Sequence, residues 1–308
     1  MKFVITGATS FIGLELIDYL LAHNHSVVAV CRQDSKGLSF IPHEVEIVVS
    51  KMCDYGRLCD AIPKADVFVN LAWGGTGHDG RNVVDIQNEN ITYTIAAMHA
   101  ADKMGCKVFV EAGSQAEYGA TTEPQTEDSN CNPFSEYGKA KLKVKQELFN
   151  LSEQLDIKYI HLRIFSLFGE KDHPWTLIMS AVDKMLKNEQ LDLSPCTQNW
   201  NFLYVKDAVR MITILCENTV DNISFKHEVY NIASDDTRQL KEFVERIKFL
   251  TGSSSILNYG ANIPHNYVSL QPDMRKTIDA IGFTEFHNFD DVICRIVKSN
   301  RLKNDKGF

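Results

Sequence analysis

Short apolar runs alternate with longer segments of helical periodicity along the first half of the chain. Each short run is apolar at consecutive positions, which is typical of strands buried on both faces of a sheet. The predicted strands cover residues 2–6, 26–30, 45–49, 66–72, 107–113 and 158–164. Helices are predicted between them, notably over residues 12–23, 82–104 and 136–155. This order predicts a Rossmann-type, doubly wound α/β fold with a parallel sheet, whose ligand lies at the carboxyl ends of the strands.

The regular alternation ends after about residue 165. The later segments are predicted as a helix near 206–217, a strand at 227–233 and helices near 238–251 and 288–299. We expect residues 1–165 to form a dinucleotide-binding Rossmann domain, to which residues 200–234 return. Residues 166–199 and 235–308 are expected to form a smaller, substrate-binding C-terminal lobe over the ligand edge of the sheet.

Composition limits the classes of protein that fit. The chain has 308 residues, of which 44% are hydrophobic, enough for a substantial core. A net charge of -8 without any basic run argues against nucleic acid as a partner. The eight cysteines form no C-x-x-C pair and no metal-site spacing, so we expect free thiols and no metal. The chain starts in a strand-like run and lacks an apolar stretch of the roughly 18 residues that a membrane span needs, so we expect a cytoplasmic protein without membrane attachment.

The segment TGATSFIG, residues 6–13, follows the first predicted strand and opens the first predicted helix. Gly7 permits a tight turn, Gly13 permits close helix packing, and the helix amino terminus faces an anion. The middle position is Ser10 instead of glycine, so an ordinary strand-to-helix turn is the alternative. The strand–loop–helix context favours a pyrophosphate site. Its candidate residues are Gly7, Thr9, Ser10, Phe11, Ile12 and Gly13.

The end of the second predicted strand bears on the choice between NAD and NADP. An acidic residue there would bind the ribose hydroxyls of NAD, whereas an arginine can neutralise the 2'-phosphate of NADP. Cys31 and Arg32 occupy the position, which favours NADP(H). Asp34 follows two residues later and could still reach a ribose, so NAD(H) stays possible.

Several motifs occur in a fixed order along the chain. They are TGATSFIG at 6–13, NLAW at 70–73, GSQAEYG at 113–119, YGKAK at 137–141 and FLYVKDAV at 202–209. Together they resemble the extended short-chain dehydrogenase/reductase family, specifically its nucleotide-sugar epimerases, dehydratases and reductases. The resemblance runs from the first strand to beyond residue 270.

The resemblance assigns catalytic roles to Ser114, Tyr137 and Lys141. Tyr137 would donate or accept the proton, Lys141 would bind the nicotinamide ribose and lower the pKa of the tyrosine, and Ser114 would hydrogen-bond the substrate oxygen. A free tyrosine has a pKa of about 10, so a base near neutrality needs such a cation. Without the resemblance, a tyrosine and a lysine four residues apart would only be neighbours on one helix face, and Ser114 could simply cap a turn.

The resemblance also places further residues around the cofactor. Asp54, after the third strand, would face the adenine, and Phe165 and Ser166 would lie near the nicotinamide. The residues expected to line the cofactor cleft are Asn70, Leu71 and Ala72.

The residues after Ser114 distinguish between the reactions of the family. Dehydratases that resemble this chain carry an Asp-Glu pair there, because removal of water needs an additional acid and base. This chain has Gln115 and Ala116, with Glu117 one residue later, so a dehydratase is disfavoured. The motifs look most like reductases of nucleotide-linked 4-keto-6-deoxysugars, such as synthases of CDP- or dTDP-linked deoxysugars. A 4-epimerase with tightly held NAD is the enzymatic alternative, and a non-catalytic NADP sensor or scaffold is the alternative of another class.

The chain departs from the family at the substrate's pyrophosphate. Epimerases of the family usually carry an arginine two residues before the F-x-Y-V phenylalanine, whereas this chain has Trp200. Arg81, in the loop WGGTGHDGRN, could be a substitute cation, although a loop arginine is more often solvated. Trp73 offers a face for sugar stacking, and His173 could bind a hydroxyl or donate a proton. Gln115 completes the candidate substrate-binding residues.

An oligomer is expected from the resemblance alone. The predicted helix at 82–104 carries Ile91, Ile95 and Met98 at helical spacing, which indicates either core or the family's helical dimer interface. We therefore expect a homodimer.

Overall fold

The computed structural model describes residues 1–77, 79–262 and 268–305. The strands are β1 Lys2–Thr6, β2 Ser26–Cys31, β3 Glu46–Val49, β4 Val67–Asn70, β5 Val108–Ser114, β6 Lys158–Ile164, β7 Ser166–Phe168, β8 Leu191–Leu193, β9 Asn199–Tyr204, β10 His227–Ile232, β11 Thr237–Gln239 and β12 Leu257–Tyr259. The helices are α1 Phe11–Ala22, α2 Leu58–Ala61, α3 Val84–Lys103, α4 Glu136–Gln154, α5 Leu177–Leu186, α6 Val205–Val220, α7 Leu240–Thr251, α8 Arg275–Ile281 and α9 Phe289–Asp305.

A seven-stranded sheet forms the centre of the molecule. Its order is β10-β6-β5-β4-β1-β2-β3, and every neighbouring pair is parallel. The predicted doubly wound α/β fold is therefore confirmed, and the strands predicted at 2–6 and 158–164 have the observed bounds. The order reverses between β1 and β4, so the crevice at the carboxyl ends of these strands is the expected ligand site.

One strand prediction is wrong in its burial. The run at 45–49 was expected to be buried on both faces, but β3 is the edge strand of the sheet. Ile47 is 44% exposed and Val49 is 57% exposed. A run of β-branched residues predicts a strand but does not say whether a neighbour covers it, because edge and central strands share this composition.

Helices cover both faces of the sheet. Helices α2, α3 and α4 pack on one face, where the core includes Phe68, Met98 and Phe109. Helices α1, α6 and α8 pack on the other face, where the core includes Leu16 and Ile212. The third expected interface position, Met98, is thus a core residue, while Ile91 and Ile95 are only partly buried and pack at the rim of the same cluster.

The later part of the chain builds a second core beside the sheet. Helices α5, α7 and α9 pack together over a three-stranded sheet of order β11-β9-β7, and β8 pairs with β12. Aromatic rings fill the space between them, as Phe202 lies 5.0 Å from Phe243 and Phe289 lies 4.8 Å from Phe243 between ring centroids. Strand β10 pairs instead with β6 in the main sheet. Within the described residues, none of the helices has the length and apolarity that a bilayer crossing requires.

Candidate active site

The turn between β1 and α1 brings the chain close to the end of β4. Gly7 has φ +63°, and a Cβ atom added to it would lie 2.8 Å from the backbone nitrogen of Ala72. A Cβ atom added to Gly13 would lie 2.6 Å from the carbonyl oxygen of Gly7. Both glycines are therefore required by close approach of backbone to backbone.

Ser10 caps the helix that follows this turn. Its side-chain oxygen accepts a hydrogen bond from the backbone nitrogen of Gly13 over 3.1 Å, and the helix begins at Phe11. A serine in the middle position thus leaves the helix start intact. Thr9 lies in the turn, and Phe11 and Ile12 form the first helical turn. The amino terminus of α1 is consequently directed at the crevice, where it can hold a pyrophosphate. These residues fit the dinucleotide that the turn predicts.

A cleft of about 820 Å³ lies at the carboxyl ends of β2 and β3. Arg32, Asp34, Lys51 and Asp54 line it together with Tyr93. The Arg32 Nε atom lies 3.8 Å from Asp34 Oδ1, and both side chains are mostly exposed. The cleft therefore holds both the cation that suits NADP and the carboxylate that suits NAD. Lys51 was missed in the sequence, although its position directly after β3 places it at the same sheet edge as Arg32.

Lys141 is tied to β5 by a buried ion pair. Its Nζ atom donates to Glu111 Oε1 over 2.9 Å and to the carbonyl oxygen of Ala112 over 2.5 Å. Both side chains of the pair are almost fully buried. The other carboxylate oxygen of Glu111 accepts from Asn70 Nδ2 over 2.6 Å, and Asn70 Oδ1 accepts from Thr6 over 2.5 Å. The network joins β1, β4, β5 and α4 beneath the crevice.

Asn70 and Glu111 are both held in this buried network. Asn70 was expected to line the cofactor cleft. Its side-chain oxygen and nitrogen are instead hydrogen-bonded within the buried network, and the residue is 1% exposed. Glu111 was missed, although a glutamate inside the apolar run VFVEAGS is itself a signal. A carboxylate is buried only when it is paired.

Aromatic and cationic side chains surround Tyr137. The Lys141 Nζ atom lies 3.4 Å from the centroid of the Trp73 ring, and Trp73 meets Tyr137 edge to face at 6.1 Å. The Arg81 guanidinium carbon lies 4.3 Å from the centroid of the Tyr137 ring. The carbonyl oxygen of Arg81 also accepts a hydrogen bond from the Tyr137 backbone nitrogen over 2.9 Å. Trp73 and Arg81, predicted as substrate contacts, thus lie against Lys141 and Tyr137.

Ser114 ends β5 and starts a short 3-10 helix, Gln115–Glu117. Its side-chain oxygen accepts from the Ala116 backbone nitrogen over 3.2 Å. The serine does cap a turn, yet accepting this bond leaves its own hydroxyl proton available to a ligand. Gly138 lets α4 approach, since a Cβ atom there would lie 2.5 Å from the Ala116 carbonyl oxygen.

A second buried carboxylate lies three residues after Ser114. Glu117 Oε2 accepts from Arg163 Nε over 3.0 Å, and Glu117 Oε1 lies 2.9 Å from His161 Nε2. Glu117 Oε1 also accepts from the backbone nitrogen of Ser114 over 2.8 Å. Burial raises the pKa of the Glu117 carboxyl, but its contacts with His161 and Arg163 outweigh burial and hold that pKa at about 2. Glu117 is therefore ionised and structural, and does not replace the missing dehydratase acid.

The remaining predicted residues follow the carboxyl ends of β4, β5 and β6. Leu71 and Ala72 follow β4, and the Ala72 backbone nitrogen donates a hydrogen bond to the Thr6 hydroxyl oxygen over 3.4 Å. Phe165 is buried beside Tyr118, while Ser166 begins β7 and is partly exposed. Gln115, in the 3-10 helix, is also partly exposed.

Two predicted substrate contacts have local partners instead. His173 stacks on Trp175 with ring centroids 4.4 Å apart, and both rings are exposed. The Trp200 ring lies 6.3 Å from Phe202, and its Nε1 atom is buried without a hydrogen-bond partner among the described residues.

Comparisons with known proteins bear on the family and the fold of the chain. The model of the NAD dependent epimerase/dehydratase family matches residues 3–233. The chain is 24% identical to the CDP-abequose synthase of Salmonella muenchen over 275 residues, which is 84% of each chain. It is 23% identical to the dTDP-4-dehydro-6-deoxyglucose reductase of Escherichia coli over 242 residues, 76% of this chain and 75% of the relative. The solved structure of UDP-glucuronic acid 4-epimerase from Bacillus cereus, in complex with UDP-glucuronic acid and NAD, has a TM-score of 0.82 at 21% identity and covers 97% of this chain and 100% of its own.

The chain is thus a Rossmann-fold enzyme of the NAD(P)-dependent oxidoreductase class. It belongs to the NAD dependent epimerase/dehydratase family, and the predicted resemblance to extended short-chain dehydrogenases/reductases is confirmed.

Proposed function

We propose that the protein is an NADP-dependent reductase of a nucleotide-linked 4-keto-6-deoxysugar. The observation that carries the proposal is the arrangement at the carboxyl end of β5. Lys141 is bonded to the carbonyl oxygen of Ala112, two residues before Ser114, and Tyr137 stands one helical turn before Lys141. This arrangement supports a site in which a hydroxyl donor, a phenol and an ammonium group act together at one edge of the sheet. The named relatives that reduce or synthesise deoxysugar nucleotides support the substrate class.

Each residue has one task in the proposed reaction. Reduced nicotinamide supplies the hydride that the carbonyl carbon accepts. Ser114 donates a hydrogen bond to the carbonyl oxygen and orients it. Tyr137 gives its hydroxyl proton to the same oxygen, so the ketone becomes a secondary alcohol. Lys141 holds the nicotinamide ribose, and solvent then returns a proton to the phenolate that is left behind.

The preference for NADP rests on the cleft beyond β2. Arg32 and Lys51 line this cleft and provide two positive charges for a 2'-phosphate. Asp34, which forms the ion pair with Arg32, would bind the ribose hydroxyls of NAD. NAD is therefore the alternative cofactor. A contact between Arg32 and the 2'-phosphate of NADP also argues mildly against a 4-epimerase, because such an enzyme needs tightly held NAD.

Three broader assignments are part of the proposal. A homodimer is expected to form through α3, on which Ile91 and Ile95 are only partly buried. A reducing compartment such as the cytoplasm is supported by the eight cysteines, all of which are free thiols. The division into residues 1–165 with 200–234 and residues 166–199 with 235–308 is proposed as the domain organisation.

The test follows NADPH absorbance with a panel of CDP-, dTDP-, GDP- and UDP-linked 4-keto-6-deoxysugars. We expect one sugar nucleotide to oxidise NADPH, with NADH less effective, and Tyr137→Phe to lose the activity. Interconversion of C4 epimers with bound NAD and without net oxidation would instead make the protein an epimerase. NADPH binding without turnover on any sugar would favour the sensor.

A further inference from the structure

The charge that Lys141 presents to Tyr137 is largely cancelled in this chain. Glu111 accepts from Lys141 Nζ over 2.9 Å, and the carboxylate is fully buried. In a site of low dielectric constant, an ion pair this close acts at a distance as a dipole and not as a full charge. The ammonium also lies 6.0 Å from the centroid of the Tyr137 ring, with the Trp73 ring beneath it. A second source of positive potential at the phenol would therefore be effective.

Arg81 is placed to be that source. Its guanidinium carbon lies 4.3 Å from the Tyr137 ring centroid, closer than the Lys141 ammonium at 6.0 Å. A guanidinium stacks on the face of a tyrosine ring and is attracted more strongly when the phenol is ionised. The contact is therefore stronger in the state that proton donation leaves behind.

The loop that carries Arg81 is fixed independently of the guanidinium. Gln87 Nε2 donates to the carbonyl oxygens of Gly75 and Gly80 over 3.1 and 3.0 Å. Asn82 Oδ1 accepts from the backbone nitrogen of Glu136 over 3.2 Å. Together with the backbone bond from Tyr137 to Arg81, these contacts dock the loop onto the start of α4. None of these hydrogen bonds involves the Arg81 side chain, so a substitution there removes none of their donors or acceptors.

Other charges near Tyr137 have local partners. On α4, Glu136 pairs with Lys139 over 2.7 Å at the surface. On β5, Glu111 is committed to Lys141 and Asn70. In the loop, Asp79 precedes Arg81 by two residues. Of the two cations found over the Tyr137 ring in the described part of the chain, Arg81 is the nearer.

We propose that Arg81 is a positioning residue that stabilises the ionised form of Tyr137, a role that rests on the proposed proton transfer by Tyr137. The Lys141–Glu111 pair then mainly holds the cofactor side of the site, and the loop arginine supplies much of the electrostatic stabilisation of the phenolate. This differs from a role as a ligand of the substrate's phosphates.

The test measures the phenolate directly, without substrate. The tyrosinate absorbance of the full chain is titrated against pH, and the Tyr137→Phe titration is subtracted to isolate one tyrosine. The same subtraction is made in Arg81→Met and Arg81→Lys backgrounds. We expect the midpoint to move to higher pH in Arg81→Met, with Arg81→Lys recovering at least half of the shift. Arg301→Gln, which removes one positive charge from α9, should leave the midpoint in place.

Each outcome separates this inference from the proposed function. An unchanged midpoint in Arg81→Met overturns the inference, even if NADPH oxidation is found. A shifted midpoint without NADPH oxidation supports the inference and rejects the reductase. A raised KM for the sugar nucleotide with an unchanged midpoint makes Arg81 a substrate ligand and also overturns the inference. Circular dichroism at each pH verifies that the variants are folded. If Arg81→Met does not fold, the midpoint in Arg81→Lys decides whether the inference holds.

Discussion

Replacement of Glu117 by glutamine tests the buried charge centre next to Ser114. Glu117 is fully buried and contacts Arg163, His161 and the Ser114 backbone. Glutamine keeps the shape but removes the negative charge, which leaves the Arg163 guanidinium buried without its counterion. Breaking a buried ion pair from one side typically costs about 3–5 kcal/mol of folding free energy.

The pKa of Glu117 gives a second route to the magnitude. The carboxyl has a pKa of about 2 in the folded protein against an ordinary value of 4.5. A difference of about 2.5 pH units corresponds to about 3 kcal/mol of preference for the ionised form, which agrees with the lower end of the first range. Because the folded-state pKa is lowered, this stabilisation is complete above pH 4.5. It is lost as the pH falls from there towards 2.

The assay is urea unfolding of the wild type and Glu117→Gln at several pH values between 7 and 3. We expect the variant to be less stable by about 3 kcal/mol at pH 7 and the difference to shrink as the pH falls below 4.5. Glu147→Gln serves as a matched control, since Glu147 pairs with Lys143 at the surface and should change stability by less than about 1 kcal/mol. A Glu117→Gln difference below about 1 kcal/mol at pH 7, or one that is constant down to pH 3, would refute the reasoning.

Three further predictions concern the cofactor side. Glu111→Gln should lower stability by about 3 kcal/mol in urea unfolding, because it leaves the buried Lys141 ammonium unpaired, whereas Glu136→Gln at the surface should not. Gly13→Ala should weaken NADPH binding measured by fluorescence titration, since its Cβ would lie 2.6 Å from the Gly7 carbonyl oxygen and displace the turn; unchanged affinity would contradict this contact. Arg32→Ser should raise the Kd for NADPH about tenfold and leave that for NADH nearly unchanged, and an equal effect on both would argue against a 2'-phosphate contact.

Periodicity predicted most of the fold because the strands of a parallel sheet are buried on both faces and carry an unbroken apolar signal. The two strands at 2–6 and 158–164 were predicted to the residue. The short strands β7, β8, β11 and β12 were not predicted, since three residues are too few for a period to register. The exposure of β3 was missed for another reason, because edge position is a property of the sheet and not of the strand.

The same distinction between local sequence and long-range structure applies to the predicted site residues. Gly13 and Ser10 could be assigned because their contacts lie close in sequence, whereas the close approach of Gly7 to the Ala72 backbone depends on the folded sheet. The positions of Trp73 and Arg81 against Lys141 and Tyr137 depend on how two loops fold over α4, which the local sequence does not specify. From the sequence, Arg81 was predicted as a substitute cation for the substrate and Trp73 as a face for sugar stacking.

The two buried glutamates fix the end of β5, where the proposed reacting group Ser114 lies. Glu111 and Glu117 lie three residues before and three residues after Ser114. Glu111 ties this segment to α4 through Lys141 and to β4 through Asn70, while Glu117 ties it to β6 through Arg163 and His161. Removal of either carboxylate leaves an unpaired buried cation, so each anchor is enforced by the cost of breaking it. If this is the purpose of the pairs, Glu117→Gln should lower kcat for sugar reduction while the KM for NADPH stays within about twofold, because Ser114 is displaced and the glycine turn is not. An unchanged kcat in the folded variant would show that the pair serves stability alone.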